Sequence, residues 1–240
     1  MPLVNWQLYR QAQGYDIPAP GEVHVWRINI RQNIGNLDNF ARLLNAEENI
    51  RAARYLQQKD KHRFIISRGA QRVLLGGYVN VEPYMLQFIP GENKKPYLAG
   101  NNYGLHYNLS HSGEWIILAV AVSPVGADVE YIDKEFDYHD ILPLHFSDEE
   151  VAYINQSNST ESFFNLWTRK EAILKATGNG LGEYLNAIPA LDGRYPLPAQ
   201  IASINNNYKL ESFALADDYA ATVVIGCENC YIKFFEACFI

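Results

Sequence analysis

The stretch Phe163 to Leu181, FFNLWTRKEAILKATGNGL, constrains this chain more than any other. With about 3.6 residues per turn, Trp167, Glu171 and Lys175 fall at i, i+4 and i+8 and share one helical stripe. Phe163, Leu166, Ile173 and Leu174 form a second, apolar stripe, which predicts the face that meets the core. Gly178, Asn179 and Gly180 end the helix, supplying the positive φ that a C-terminal cap or tight loop needs. A carboxylate and an ammonium one turn apart would be an ordinary surface pair on their own. Their company elsewhere in the chain gives them a different meaning.

The length of 240 residues suits one large domain or two modest ones. A hydrophobic content of 48% with 20% charged residues reads as a soluble, folded protein. No apolar run approaches the roughly 18 residues of a membrane helix. MPLVNWQLYR lacks the basic start and apolar core of a secretory signal. Three cysteines, an odd number, argue against a disulfide framework and for a reducing, cytoplasmic setting. The net charge of −7 offers no polycationic face to nucleic acid. Locally, however, Arg42, Arg51, Arg54, Lys59, Lys61, Arg63, Arg68 and Arg72 outnumber Glu47, Glu48 and Asp60. Such a segment is either a solvated helix face or a seat for a small anion.

Val23 to Ile30 reads as a strand and Asn36 to Leu44 as a short helix. Asn45 followed by Glu47 and Glu48 has the outline of a helix cap, and that helix continues through Arg51 to Tyr55. Lys61 to Leu75 predicts a longer helix stopped by Gly76-Gly77. After the Gly91 to Gly104 loop, LHYNLSHSGEWIILAVAV predicts two strands around a Ser110–Glu114 turn. The Ser123–Gly126 turn leads into the strand ADVEYI; Ile141 to Ile154 and Glu161 to Thr177 read as helices. The alternation from Lys209 to Ile240 predicts an antiparallel sheet, with Cys227 and Cys230 as reduced thiols flanking a hairpin at Glu228-Asn229. A division at the Ser123–Gly126 turn gives halves 1–123 and 124–240, each with one major helix and several strands.

Three further pieces carry chemistry. Asp128 and Glu130, two residues apart on a strand, point to one face, where like charges repel unless a cation or proton intervenes. Hard oxygen ligands of this kind suit Mg²⁺. Ser110 and His111 beside Gly113 can present a hydroxyl, an imidazole and backbone N–H groups to an anion. No G-x-S-x-G accompanies them, which argues against a serine hydrolase. Lys94-Lys95-Pro96 places a basic side chain on a backbone stiffened by proline.

In this order, KKP, NLSHSGEW, GADVE and FFNLWTRKEAILKATGNGL resemble the signatures of the 4′-phosphopantetheinyl transferases, specifically the two-subdomain, surfactin-synthetase-activating (Sfp) type. Trp167 to Lys175 matches the family motif W-(S/T)-x-K-E-(A/S)-x-x-K throughout, and the likeness runs from about Arg51 to Leu181. The resemblance implies an α+β fold of two similar subdomains in pseudo-twofold arrangement, each a small antiparallel sheet packed on a long helix. It implies transfer of the phosphopantetheine arm of coenzyme A to a serine of an apo acyl or peptidyl carrier protein, with 3′,5′-ADP released. The enzyme would be a monomer with its site in the seam between the halves.

By the same resemblance, Asp128, Glu130 and Glu171 would chelate Mg²⁺ or Mn²⁺, and Lys175 would touch the CoA diphosphate and protonate the leaving group. Ser110 and His111 would bind CoA phosphate oxygens, and Lys95 and Pro96 would flank the nucleotide. Arg51, ahead of Arg63 and Arg72, would take the 3′-phosphate, although Glu48 and Phe64 depart from some relatives there. Either Glu171 or Glu150 would accept the proton of the carrier serine; Lys170 would hold Glu150 or line the pantetheine channel. Trp167 reads as packing the helix against the other half. Two competing readings are another Mg²⁺-dependent nucleotide phosphodiesterase and a non-catalytic CoA-binding module.

Overall fold

A computed structural model describes all residues except 3, 11–14, 92, 94, 158, 179–184, 193–196, 198–207, 228 and 240. Lys94, Asn179, Gly180, Leu181 and Glu228 therefore lie outside the described residues. The strands are β1 (Gln7–Arg10), β2 (Glu22–Asn29), β3 (Phe88–Pro90), β4 (Pro96–Leu98), β5 (His106–Ser112), β6 (Trp115–Ala121), β7 (Val125–Tyr131), β8 (Lys209–Ala214), β9 (Tyr219–Ile225) and β10 (Tyr231–Cys238). The helices are α1 (Leu37–Leu43), α2 (Ala46–Ala53), α3 (Gln58–Val79), α4 (Leu142–His145), α5 (Asp148–Ser157) and α6 (Thr160–Thr177).

Two sheets carry the α+β architecture: β1-β10-β2-β6-β5, and β7-β9-β8. Strand alternation explains how they stack. In β2 and β6, Trp26, Ile28, Ile116, Leu118 and Val120 enter a core with α3 residues such as Ile66, Leu74 and Leu75. The intervening Val23, Val25, Ile117, Ala119 and Ala121 pack against Val125, Ala127 and Val129 of β7 and against Val223 and Ile225 of β9. Ala172, Ile173 and Leu174 of α6 cover the opposite face of the second sheet, with Val224. The layers run α3, first sheet, second sheet, α6. Phe163, Leu166, Ile173 and Leu174 are all buried, as their helical spacing predicts.

Several expectations differ from the structure. β5 runs on through Ser110 to Ser112, leaving the turn to Gly113 and Glu114, and the helix expected over Ile141 to Ile154 is two helices, α4 and α5. β10 does not extend an antiparallel C-terminal sheet; it pairs in parallel with β2 and β1 in the first sheet, which is therefore mixed. Both faces of β10 are apolar, Phe235 and Ala237 toward one core and Ile232 and Phe234 toward the other, which suits a strand between layers. Cys227 and Cys230 consequently sit on a crossover between sheets and not on a hairpin; both are free thiols. Finally, α3 runs through Gly76-Gly77 and ends at Asn80 in a left-handed conformation. Those glycines serve close packing: a Cβ on Gly76 would lie 2.6 Å from the Val81 carbonyl, and one on Gly77 would lie 2.4 Å from the Tyr15 ring. The Asn45 cap forms as expected, with reciprocal Asn45–Glu48 bonds of 2.8 and 3.0 Å.

Candidate active site

The site is built where the edge strands β5 and β7 of the two sheets meet beneath α6. Asn108, Ser110 and Ser112, at i, i+2 and i+4 on β5, project toward β7 and replace a backbone ladder with side-chain bonds. Asn108 Oδ1 accepts from Ala127 N at 2.9 Å. Ser110 Oγ donates to Asp128 Oδ1, and Ser112 Oγ to Glu130 Oε2, both at 2.8 Å. Ser112 Oγ also accepts from Tyr131 N at 3.1 Å. The polar edges thus close against each other, and Asp128 and Glu130 are aimed together on the α6 side.

α6 reaches this point because Gly126 has no side chain. A Cβ there would lie 2.1 Å from the Ala172 carbonyl and 2.4 Å from Ala176 N. That close approach, with Glu171 and Lys175 one turn apart, delivers Lys175 Nζ to 2.5 Å from Asp128 Oδ1 and 3.0 Å from Ser110 Oγ. Gly178, at φ +77°, caps the helix just beyond.

Burial makes the site electrostatically tense. Asp128 is 2% exposed, and desolvation pushes its pKa up against the pull of Lys175. Burial, then the Asp128 charge, raises both Glu130 and Glu171 to about 7. Asp128 Oδ2 and Glu171 Oε1 are buried with no hydrogen-bond partner. Orphan carboxylate oxygens facing like charges fit a hard divalent cation. The expected ligand set is not closed, however: among the described residues no three His, Cys, Asp or Glu side chains gather tightly enough to hold a metal as they stand. Lys175 supplies the positive charge at Asp128 instead.

The basic residues separate into free and committed groups. Arg72 is fully buried, its guanidinium bound to Glu48 Oε2 and to the carbonyls of Pro83 and Leu86, so it cannot take a phosphate. Glu48, out of place beside the family pattern, is its partner. Arg63 pairs with Asp60 at 2.7 Å. Arg51 is exposed, with its guanidinium 5.2 Å over the Phe64 ring. Arg68, named in the basic segment but not singled out as a phosphate ligand, lies 5.7 Å from the same ring and donates to Gln71 Oε1 at 2.8 Å. His111 is held below its usual pKa by desolvation and then by Arg63, with Lys175 and Arg68 adding to it. An electropositive wall therefore runs from α3 to Ser110. It adjoins a cleft of about 640 Å³ lined by Arg31, Lys59, Arg63 and Gly113.

Other expected residues have different surroundings. Lys95 Nζ binds the carbonyls of Val125, Lys175 and Ala176, and burial lowers its pKa to about 8; it staples the end of α6 to the start of β7. Pro96 opens β4 beside it. Glu150 is not brought to the carboxylate cluster. Its Oε2 pairs with Lys170 Nζ at 2.8 Å and accepts from Ser147 N, while Oε1 accepts from Ala190 N. Lys170, fully buried, also donates to the carbonyls of Leu185 and Ile188, so it holds Glu150. Trp167, expected to pack the helix against residues before position 124, instead stacks among the described residues on His145, Phe146 and Phe163 of its own neighbourhood. Ser112, Asn108 and Gly126 were missed as site-building residues. The period-two polar pattern of β5 was the available signal.

Known proteins give this geometry a context. A family model described as the 4′-phosphopantetheinyl transferase superfamily matches residues 124–224, and one described as 4′-phosphopantetheinyl transferase, N-terminal, matches residues 33–123. The chain is 35% identical over 188 residues to the 4′-phosphopantetheinyl transferase HetI of Nostoc sp., covering 75% of this chain and 79% of that protein. It is 27% identical to a 4′-phosphopantetheinyl transferase of Bacillus subtilis, over 84% of this chain and 92% of that one. To the 4′-phosphopantetheinyl transferase Sfp of Bacillus subtilis it is 23% identical, over 78% and 89%. With those matches on both sides of the seam that joins β5 to β7, the chain belongs to the 4′-phosphopantetheinyl transferase superfamily.

Proposed function

We propose that the chain moves the 4′-phosphopantetheine arm of coenzyme A onto a serine hydroxyl of an apo acyl or peptidyl carrier protein, releasing 3′,5′-ADP. The observation that carries this is the convergence of Asp128, Glu130, Glu171 and Lys175 against Ser110 of the facing strand, with two carboxylate oxygens left unpartnered. In the reaction the serine oxygen bonds to the phosphorus that bears pantetheine, and the bond from that phosphorus to the ADP oxygen breaks. Such phosphoryl transfer is catalysed chiefly by positioning and charge neutralisation.

Asp128, Glu130 and Glu171 are the residues that would hold Mg²⁺ or Mn²⁺, after rotation of side chains already aimed at one point. When bound, the ion would neutralise charge on the diphosphate. Glu171, within the carboxylate cluster, would accept the serine proton directly or through a bound water, whereas Glu150 is sealed in its ion pair. Lys175 lends a proton to the departing ADP. Ser110, His111 and the Arg63–Arg68 wall receive phosphate oxygens, and Arg51 takes the 3′-phosphate. Lys95 acts by fixing α6, with Pro96 at the nucleotide's edge.

The α3–sheet and sheet–α6 pairs are read as a pseudo-twofold couple divided at 123/124, with β10 lent to the first half; the two family models meet at that position. Both faces of the seam come from one chain, which supports a monomer, and the three free cysteines suit the reducing cytoplasm. The deciding experiment incubates the protein with CoA, Mg²⁺ and an apo carrier and weighs the carrier. A gain of one phosphopantetheine, lost in Asp128→Ala, is expected. Nucleotide breakdown without labelling would indicate a phosphodiesterase, and binding without turnover a CoA-binding module; either overturns the transferase reading.

A further inference from the structure

We propose that Lys175, before substrate arrives, acts as a tethered counter-ion occupying the cation position at Asp128, so that a divalent ion enters only together with a diphosphate. The inference rests on the functional reading above and adds a condition to it. The Lys175 ammonium lies 2.5 Å from Asp128 Oδ1, the oxygen that also accepts from Ser110. Asp128 is 2% exposed, so its charge is met inside the protein by the Lys175 ammonium, with the neutral Ser110 hydroxyl as a second donor. A divalent ion approaching Asp128 would meet a fixed positive charge in a poorly screened site. Meanwhile the carboxylates are too far apart to close around an ion as they stand.

The arrangement can be released. Lys175 has a four-carbon stem, and its side chain is 28% exposed, so the ammonium can swing toward solvent while its Cα stays in the helix. Among the described residues, Glu130 and Glu171 also interact with the Lys175 charge, and both belong to the same cluster. A diphosphate with oxygens outside Asp128 would draw the ammonium off and vacate Asp128 Oδ1 beside the orphan Oδ2. Metal and CoA would then load as one event. A metal ion alone, abundant in any cell, would not be trapped by the three carboxylates.

Direct Mn²⁺ binding, read by electron paramagnetic resonance on the full chain without carrier, tests this. Lys175→Met without CoA is expected to bind Mn²⁺ at least tenfold more tightly than the unaltered protein; equal or weaker binding overturns the proposal. Should that variant fail to fold, the unaltered protein decides, using ¹³C-labelled lysine and Lys175→Arg for assignment. CoA without metal should shift the Lys175 signal, and Mg²⁺ without CoA should leave it in place. Displacement of the signal by Mg²⁺ alone overturns the proposal, as does an unmoved signal with CoA. Carrier labelling by the unaltered enzyme is a separate measurement: it can succeed while these results fail, so the two readings are distinguishable.

Discussion

Replacing Gly126 with alanine tests how the site is assembled, because the change adds one methyl group and removes none of the side chains that carry the chemistry. Gly126 lies in β7 and its φ is not in the positive range, so the backbone itself accepts alanine. The obstacle is purely steric. The new Cβ would sit 2.1 Å from the Ala172 carbonyl, 2.4 Å from Ala176 N and 2.9 Å from Ala176 Cα, against an ordinary contact of 3.4 Å or more. All three are main-chain atoms of α6, so no side chain can rotate away, and the helix must retreat by roughly 1 Å. Overpacking of this kind costs about 1–3 kcal/mol, and a backbone clash belongs at the upper end. The entropic gain of Gly→Ala, about 0.4–1 kcal/mol, offsets only part of it. At about 2–4 °C per kcal/mol for a chain of this size, Tm should fall by roughly 4–8 °C. The catalytic loss should be larger, since a displacement of about 1 Å costs on the order of 10²-fold in rate. Thermal melts and carrier-labelling kinetics on the same preparation check both numbers. A Tm within a degree of the unaltered protein together with full kcat/KM would refute the claim that this contact sets the helix position.

Glu150→Gln should destabilise by about 3–5 kcal/mol, as expected when one partner of a buried ion pair is removed, while kcat of the folded fraction stays within about twofold; a selective loss of kcat would restore Glu150 as the base. Glu171→Gln tests the raised carboxylate without divalent ions. Because Glu171 titrates near 7 in the folded chain and at 4.5 when unshifted, the folded state binds the extra proton between those values and loses stability as pH rises through them. The neutral glutamine is exempt, so the variant's Tm should gain on the unaltered protein from pH 4.5 to 7; parallel Tm profiles would contradict the shift. Arg51→Ala should raise KM for CoA about tenfold but leave KM for dephospho-CoA, which lacks the 3′-phosphate, nearly unchanged. Equal effects on both substrates would remove Arg51 from the 3′-phosphate site.

Much of this was legible in the chain itself. The α6 periodicity specified its buried face, the Asn45–Glu48 pattern its neighbour's cap, and the motifs from Lys95 to Lys175 the family. These signals are local: they depend on helix and strand periods and on residues within a turn of one another. The partner of a strand edge or a charged tip is another matter. That β10 pairs with β2 and not with β9, that Arg72 is consumed by Glu48, and that Glu150 is locked to Lys170 all depend on residues distant in sequence. The ammonium on Asp128 is likewise a tertiary outcome, possible because Gly126 lets α6 lie directly on β7. Sequence determined which chemical groups the enzyme owns; packing in three dimensions decided which remain available, because each buried charge must find a partner and only the folded chain shows which one it found.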